Sequence, residues 1–200
     1  MRPVVGYGIA LGTCSARANG ACPLQGGKVA RFIDPFYTNN FLDANIFDEI
    51  GGGKEAVQEI LRIYDQESIT LILPYSVQAE LEDPNTPTAV KKASQQFIYS
   101  IQVSLTDAEK KSYEKLLAVV TGDSKPGNIA RDLFHVFEAQ KNGGGHFITR
   151  DKRLLKRSDA IVDLLGVEVL TPEAFVAKVR EAQARSEEFE RRKMEFEGGA

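Results

Sequence analysis

The chain lacks the features that mark a zinc protein, a membrane protein or a broadly basic nucleic-acid binder. It has only two cysteines, Cys14 and Cys22, and no CxxC pair or Cys/His spacing typical of a structural zinc site. No apolar run approaches the roughly 18 residues needed to span a bilayer. The formal net charge is −3, so there is no overall basic field and any nucleic-acid site has to be local.

Two common catalytic loops are missing from the sequence as well. The glycines of "NGGG" (142–145) precede no helix that begins with Gly-Lys-Ser/Thr, which excludes a phosphate-binding loop there. No Gly-x-Ser-x-Gly turn marks a serine nucleophile. The two histidines, His135 in a helical pattern and His146 at the start of a predicted strand, are interpreted as structural residues.

The composition favours one globular domain, residues 38–178, with an extension at each end. Residues 1–37 are rich in Gly, Ala and Arg, so we interpret them as a poorly ordered extension. Their apolar run is too short for a secretory signal, which favours a cytoplasmic location. Residues 179–200 are a charged C-terminal helical arm with Glu–Arg pairs at i,i+4 spacing. We interpret this arm as a solvated helix, with docking on a partner or a second copy as the alternative.

The middle of the chain alternates short apolar strands with amphipathic helices, the pattern of an α/β domain. A strand at "NFLDA", a helix over 54–66 and a strand at "SITLILP" form a βαβ unit, which predicts a mainly parallel sheet. Two further strands are predicted at "HFIT" and "VEVL". The other predicted helices cover residues 74–82, 88–100, 106–122, 128–141 and 171–183. Thr106 and Glu109 fit a capping box, and Thr171 fits an N-cap.

Four acidic residues occupy positions where an apolar residue is expected. Asp43 and Asp151 each follow a predicted strand, and the sites of open parallel sheets form at the edge where the strands end. Asp132 and Glu80 fall within the inward-facing stripes of two helices. Asn45, two residues after Asp43, lies on the same strand face if the strand continues. Because an unpaired carboxylate is costly to bury, we expect these acids to converge and to share a compensating cation.

A hard divalent cation would relieve the repulsion within such a cluster. Mg²⁺ or Mn²⁺ prefers oxygen ligands, lowers the pKa of a bound water and stabilises charge on a phosphodiester under attack. We therefore predict a metal site formed by Asp43, Glu80, Asp132 and Asp151. Taken singly, Asp151 has an alternative role as the N-cap of a helix over "KRLLKR" (152–157), and Glu80 as a solvent-facing residue at a helix end.

Taken together, these motifs resemble the PIN-domain family of metal-dependent ribonucleases over about residues 38–178. The matching segments are, in chain order, "FLDANIF", "LPYSVQAELE", "NIARDLFHVFEAQ", "FITRDKRLL" and "VEVLTPEAFV". The resemblance implies a three-layer α/β/α fold and hydrolysis of RNA by a metal-activated water. It also implies that Asp43, Glu80, Asp132 and Asp151 are the catalytic acids, with Asn45 and Thr149 in support.

The resemblance also implies partners for the protein. Many members of the family are toxins of toxin–antitoxin modules, which a small antitoxin protein neutralises, and others process ribosomal or transfer RNA precursors. Subunit pairing is common in the family, so the implied partners are an RNA substrate, an antitoxin and a second copy of the chain. Two features argue against the toxin subgroup. The chain has an extension at each end, and Arg150 stands between Thr149 and Asp151 where a small residue is usual.

A basic segment, "RDKRLLKR" (150–157), adjoins the predicted metal site. Its cations would contact backbone phosphates without reading the base sequence. The predicted RNA-binding residues are Arg150, Lys152, Arg153, Lys156 and Arg157. The alternative is an ordinary exposed turn with Leu154 and Leu155 facing inward.

Three functional hypotheses follow from the sequence. The favoured one is a Mg²⁺- or Mn²⁺-dependent endoribonuclease, with a toxin as one form of it. The alternative is a non-catalytic PIN-like module that holds RNA or a protein without cutting. A third is a phosphatase with Asp43 as nucleophile, although Asp-x-Asn in place of Asp-x-Asp argues against that arrangement.

Overall fold

A computed structural model of the protein describes residues 32–50, 53–67, 69–122, 127 and 129–198. Most of the interpreted N-terminal extension, with both cysteines, lies outside these residues. The strands are β1 (Asn39–Leu42), β2 (Thr70–Leu73), β3 (Ile98–Tyr99), β4 (Gly144–Ile148) and β5 (Glu168–Leu170). They form one sheet in the order β3-β2-β1-β4-β5, and every pairing is parallel.

Nine α-helices occur in the described part of the chain, and a 3₁₀ turn (Ala44–Ile46) follows β1. The first five are α1 (Phe47–Ile50), α2 (Glu55–Glu67), α3 (Tyr75–Leu81), α4 (Thr88–Ser94) and α5 (Asp107–Thr121). The last four are α6 (Ile129–Lys141), α7 (Lys152–Leu155), α8 (Ser158–Leu165) and α9 (Pro172–Gly198). None of these helices is both long and apolar enough to cross a membrane.

Helices cover both faces of the sheet, which explains why consecutive residues of β1, β2 and β4 are buried whichever face they point to. Successive strand residues point to opposite faces. Phe41 and Phe147 therefore pack with residues of α5, α6 and α8, whereas Leu42 and Ile148 pack with residues of α2, α3 and α9. The predicted three-layer α/β/α architecture with a parallel sheet is confirmed.

Local sequence signals set several helix boundaries. The hydroxyl of Thr106 accepts a hydrogen bond from the Glu109 N–H (3.3 Å), and the Glu109 carboxylate accepts one from the Thr106 N–H (2.8 Å), which confirms the capping box of α5. The helix ends at Gly122, whose φ of +58° favours glycine. At α9 the predicted cap is also confirmed, because the Thr171 hydroxyl accepts from the Ala174 N–H (3.2 Å).

The predicted helix over residues 88–100 is wrong in its second half. α4 ends at Ser94, and Ile98–Tyr99 form β3, which pairs with Ile72 and Leu73 of β2. The sheet thus has five strands where four were predicted. This edge pairing is a contact between distant segments, so the helical period of the local sequence did not reveal it.

The last helix continues without a break from the body of the domain into the charged segment. α9 runs to Gly198, and the Glu181–Arg185 and Glu188–Arg192 pairs expected at i,i+4 spacing are present. Each such exposed pair stabilises the helix by only about 0.3–0.5 kcal/mol.

Candidate active site

Asp43 lies where β1 ends, at the sheet edge formed by the carboxyl ends of the strands. Its N–H donates to the Ile148 carbonyl (3.0 Å) and so extends the pairing of β1 with β4. Its side chain is only 7% exposed. Oδ1 accepts from the Ala44 N–H (2.8 Å), and Oδ2 accepts from Asn45 Nδ2 (2.7 Å) and the Thr149 hydroxyl (2.5 Å). This carboxylate is therefore buried but hydrogen-bonded, at the edge predicted from the sequence.

Asn45 reaches Asp43 by a different route from the one predicted. The strand does not continue through Asn45, because the 3₁₀ turn begins directly after Asp43, which is its N-cap. The turn folds the Asn45 side chain back over the sheet edge. Its Nδ2 also donates to Thr149 Oγ1 (3.1 Å), and its Oδ1 accepts from the Arg150 N–H (3.1 Å). Asn45 and Thr149 thus join the loops that follow β1 and β4.

Asp132 and Asp151 share a single cation, the guanidinium of Arg153. Its Nη2 lies 2.7 Å from Asp132 Oδ2 and 2.6 Å from Asp151 Oδ2. Asp151 Oδ1 also accepts from the Arg153 N–H (2.6 Å), so Asp151 is the N-cap of α7. The alternative role predicted for Asp151 is therefore present together with the clustering of acids.

Burial and mutual repulsion change the ionisation of these acids. Burial raises the pKa of Asp43 from 3.8 to about 6, and the charges of Glu80 and Asp151 add to the increase against the hydrogen bonds it accepts. Burial also raises the pKa of Asp132 to about 6, although the Arg153 charge opposes this. Burial would raise the pKa of Asp151 as well, but hydrogen bonds from Arg153 hold it below its usual range. The acids thus lie close enough that the negative charge of one disfavours the ionisation of another.

Glu80 faces α6 from α3 and is half-buried. Its Oε1 lies 3.3 Å from Arg131 Nε and 3.7 Å from Nε2 of the buried His135. Burial raises the pKa of Glu80, and the charge of Asp132 adds to the increase while Arg131 opposes it. Burial lowers the pKa of His135 to about 4, so this imidazole is neutral at pH 7.

The five predicted RNA-binding cations separate into two groups. Arg150 donates from Nε to both carboxylate oxygens of Glu49 (3.1 and 3.0 Å) and from Nη1 to Glu173 (2.5 Å), and Arg153 is held by the acids described above. The other three, Lys152, Lys156 and Arg157, are exposed. Leu154 is buried and Leu155 half-buried, as the alternative interpretation of this segment predicted.

Ser76 and Glu138 form a contact that the sequence analysis missed. Glu138 is 1% exposed, and its Oε2 accepts from the Ser76 N–H (2.8 Å) and the Ser76 hydroxyl (2.6 Å). The contact joins α3, which carries Glu80, to α6, which carries Asp132. The signal in the sequence was an acid within the apolar run "HVFEA", but its partner is distant in the chain and could not be identified from it.

Replacing Glu138 with alanine is expected to lower the free energy of unfolding by about 2 kcal/mol, because the buried carboxylate is lost and two half-buried donors of Ser76 lose their acceptor. Urea denaturation followed by circular dichroism measures this difference. The control is Glu114→Ala on an exposed face of α5, which should stay within about 0.5 kcal/mol of the wild type. Equal effects of the two changes would contradict a structural role of the Ser76–Glu138 contact.

Asp132 and Asp151 are the two carboxylates near the sheet edge that could hold a divalent cation. Within the described ranges, no group of three or more His, Cys, Asp or Glu side chains is spaced to hold a metal ion. Asp132 and Asp151 nevertheless converge on one cation, and Mg²⁺ is commonly held by one or two carboxylates with waters completing its shell. The carboxylates of Asp43 and Glu80 lie close enough to interact electrostatically with Asp132.

Comparison with known proteins adds no family to these observations. No family model, no curated protein and no solved structure matches the chain. The resemblance to PIN domains therefore stays a prediction that rests on the motifs and on the geometry of the acids.

Proposed function

We propose that the protein is a metal-dependent endoribonuclease of the PIN type that hydrolyses phosphodiester bonds of RNA. The observation that supports this most is the meeting of Asp132 and Asp151 on one cation beside the buried Asp43. Burial raises the pKa values of Asp43 and Asp132, and acids with perturbed pKa values that cluster at a sheet edge are enriched at functional sites. The edge is also where open parallel sheets carry their sites.

Asp132 and Asp151 would hold Mg²⁺ or Mn²⁺ directly, and the negative charges of Asp43 and Glu80 would favour its binding. When bound, the cation supplies a more acidic water and neutralises charge on the phosphate. The side chains of Thr149 and Asn45 hold Asp43 Oδ2, which leaves Oδ1 with a free lone pair beside its bond from Ala44.

Asp43 is suited to accept the proton of the attacking water at Oδ1. Its pKa of about 6 lies near the operating pH, which is the condition for efficient general-base catalysis. Below that pH the carboxyl is protonated and cannot act as a base. We therefore assign the proton acceptor to Asp43 and the cation to Asp132 and Asp151.

RNA would approach along the exposed cations next to the acids. Lys152, Lys156 and Arg157 belong to α7 or flank it, directly after Asp151. They would contact phosphates without reading bases, so binding should weaken as salt rises. Because the net charge of the whole chain is negative, RNA binding would depend on a local basic segment such as this one.

Cleavage of a labelled mixture of single-stranded and structured RNA tests the proposal. We expect the purified protein to cut with Mg²⁺ or Mn²⁺ and to stop when a chelator is added, and Asp132→Asn to cut at least about 100-fold more slowly, because a cation ligand is lost. The matched control is Asp107→Asn on α5, whose carboxylate is 93% exposed, and it should cut as the wild type does. Cleavage that survives the chelator and Asp132→Asn would contradict the proposal.

A non-catalytic RNA-binding module is the second candidate, and the position of Arg153 favours it. A guanidinium already neutralises the Asp132–Asp151 pair, as it would in a purely structural ion pair. In that case the protein would bind RNA, with salt dependence, and would not cut it whichever metal is added.

A further inference from the structure

The guanidinium of Arg153 lies where two proposed cation ligands converge. Nη2 donates to Asp132 Oδ2 and Asp151 Oδ2, and Nε lies 3.2 Å from each oxygen of Asp151. Both carboxylates therefore direct an oxygen toward the same nitrogen. A cation placed between the two oxygens would have to take the position of this nitrogen.

Arg153 is also free to leave this position. Its side chain is 52% exposed, so release into water involves little loss of buried surface. It projects from α7, which is a single turn. The neighbouring Arg150 differs, because Glu49 and Glu173 hold its guanidinium on the other side of the loop. Of the two arginines that flank Asp151, one is thus held by other acids and the other lies on the cluster.

We propose that Arg153 is a displaceable counter-ion that competes with the divalent cation for Asp132 and Asp151. Without a metal it compensates the charge of the pair and keeps the site folded. Asp132 and Asp151 would hold a divalent cation in its place, and the Arg153 guanidinium would then be free to move toward the exposed cations of α7, where it could contact a phosphate. This inference rests on the proposed function, since it concerns the occupancy of the proposed metal site.

Competition of this kind has a definite effect on metal affinity. Each arginine–carboxylate contact is charge-assisted but partly exposed, so the two together oppose metal binding by about 10-fold. Arg153→Gln removes the competing charge and should bind metal about 10-fold more tightly. Arg153→Lys replaces the planar guanidinium with a single ammonium group. Its metal affinity should therefore lie between those of the wild type and Arg153→Gln.

Binding of Mn²⁺ to the full chain, followed by the electron paramagnetic resonance signal of the free ion, measures these affinities without any cleavage assay. The matched control is Arg192→Gln on the charged arm of α9, which removes an exposed arginine–carboxylate pair with Glu188; the Arg192 side chain is 73% exposed. It should bind Mn²⁺ as the wild type does. Asp132→Asn should bind it much more weakly than the wild type.

Release of the guanidinium is observed separately by NMR. Addition of Mg²⁺ should shift the Nε–H resonance of Arg153 and leave that of Arg150 unchanged, with the same midpoint as metal binding. This readout distinguishes direct displacement from a general effect of charge. Either of two results would overturn this inference without affecting the proposed function. One is an unchanged metal affinity of Arg153→Gln, and the other is an unchanged Arg153 resonance while the wild type binds metal. No metal binding by the wild type would overturn the proposed function as well.

Discussion

Asp43→Asn is expected to reduce metal-dependent RNA cleavage about 1,000-fold while the protein stays folded. The asparagine has nearly the shape of the aspartate but cannot accept a proton from water, and general-base catalysis contributes on the order of 10²–10⁴-fold. It also removes a buried negative charge that favours the cation beside Asp132 and Asp151. Single-turnover cleavage at saturating Mn²⁺ measures the loss in the chemical step, because saturation removes any difference in metal affinity.

The pH dependence of the wild-type rate provides an independent check on this role. At saturating Mn²⁺, where the cation would keep Asp132 ionised, the rate constant for cleavage should rise with pH as Asp43 ionises and then level off, at or below the pKa of about 6 that burial gives Asp43 without metal. In Asp43→Asn under the same conditions this rise should disappear from the residual activity. Asp107→Asn, which changes an exposed aspartate in the same way, should keep both the rate and the pH profile. A wild-type rate in Asp43→Asn would remove Asp43 from the catalytic groups.

The same variant is expected to change how stability depends on pH when no metal is present. The pKa of Asp43 is about 6 in the folded protein and 3.8 when the carboxyl is fully solvated. The folded state therefore binds this proton more tightly than the unfolded state. The resulting stabilisation is complete below pH 3.8 and is lost as the pH rises through 6, to a total of about 3 kcal/mol.

The asparagine side chain of the variant does not titrate, so the difference in stability between the variant and the wild type changes with pH. The free energy of unfolding of Asp43→Asn minus that of the wild type should become more favourable to the variant by about 2 kcal/mol between pH 4 and pH 7, which is most of the total of about 3 kcal/mol. Any hydrogen bond that asparagine fails to make with Asn45 or Thr149 shifts this difference equally at every pH. The slope, measured by urea denaturation with a chelator present, is therefore the diagnostic quantity. A difference that is constant with pH would show that Asp43 is not buried as a destabilising charge.

Addition of Mn²⁺ should reverse this destabilisation in the wild type. A ligand that binds only the folded state stabilises it by mass action, and the charge of Asp43 would favour that ligand. The variant lacks the charge and should gain less stability from the same Mn²⁺ concentration. Together these measurements separate the structural consequence of burying Asp43 from its proposed catalytic role.

Much of the architecture could be predicted from the sequence because it depends on short-range patterns. Apolar strands between amphipathic helices predicted a parallel sheet with helices on both faces, and the capping signals at Thr106 and Thr171 marked helix starts. Such patterns are set by hydrogen bonds and side-chain periods within a few residues of one another. The short edge strand β3 was missed, because its two residues gain strand geometry only from pairing with β2.

The candidate site shows the same division between local and distant contacts. The position of Asp43 at the end of a strand and the capping role of Asp151 were both visible in the sequence. The turn that folds Asn45 back onto Asp43 was not, since the sequence related the two residues only through a strand that continued past Asp43. The separation of the basic residues into exposed cations and arginines held by acids was also hidden, as was the contact between Ser76 and Glu138.

The amino-acid sequence was therefore sufficient to predict the type and order of most elements and the presence of acids at positions where apolar residues are expected. Local backbone preferences and the periodicity of burial are sufficient for that. The meeting of Asp132 and Asp151 on the guanidinium of Arg153 became visible only in the folded protein. The same is true of the ion pairs of Arg150 with Glu49 and Glu173. Ion pairs depend on distances between side chains of different elements, and the packing of those elements on the sheet sets these distances.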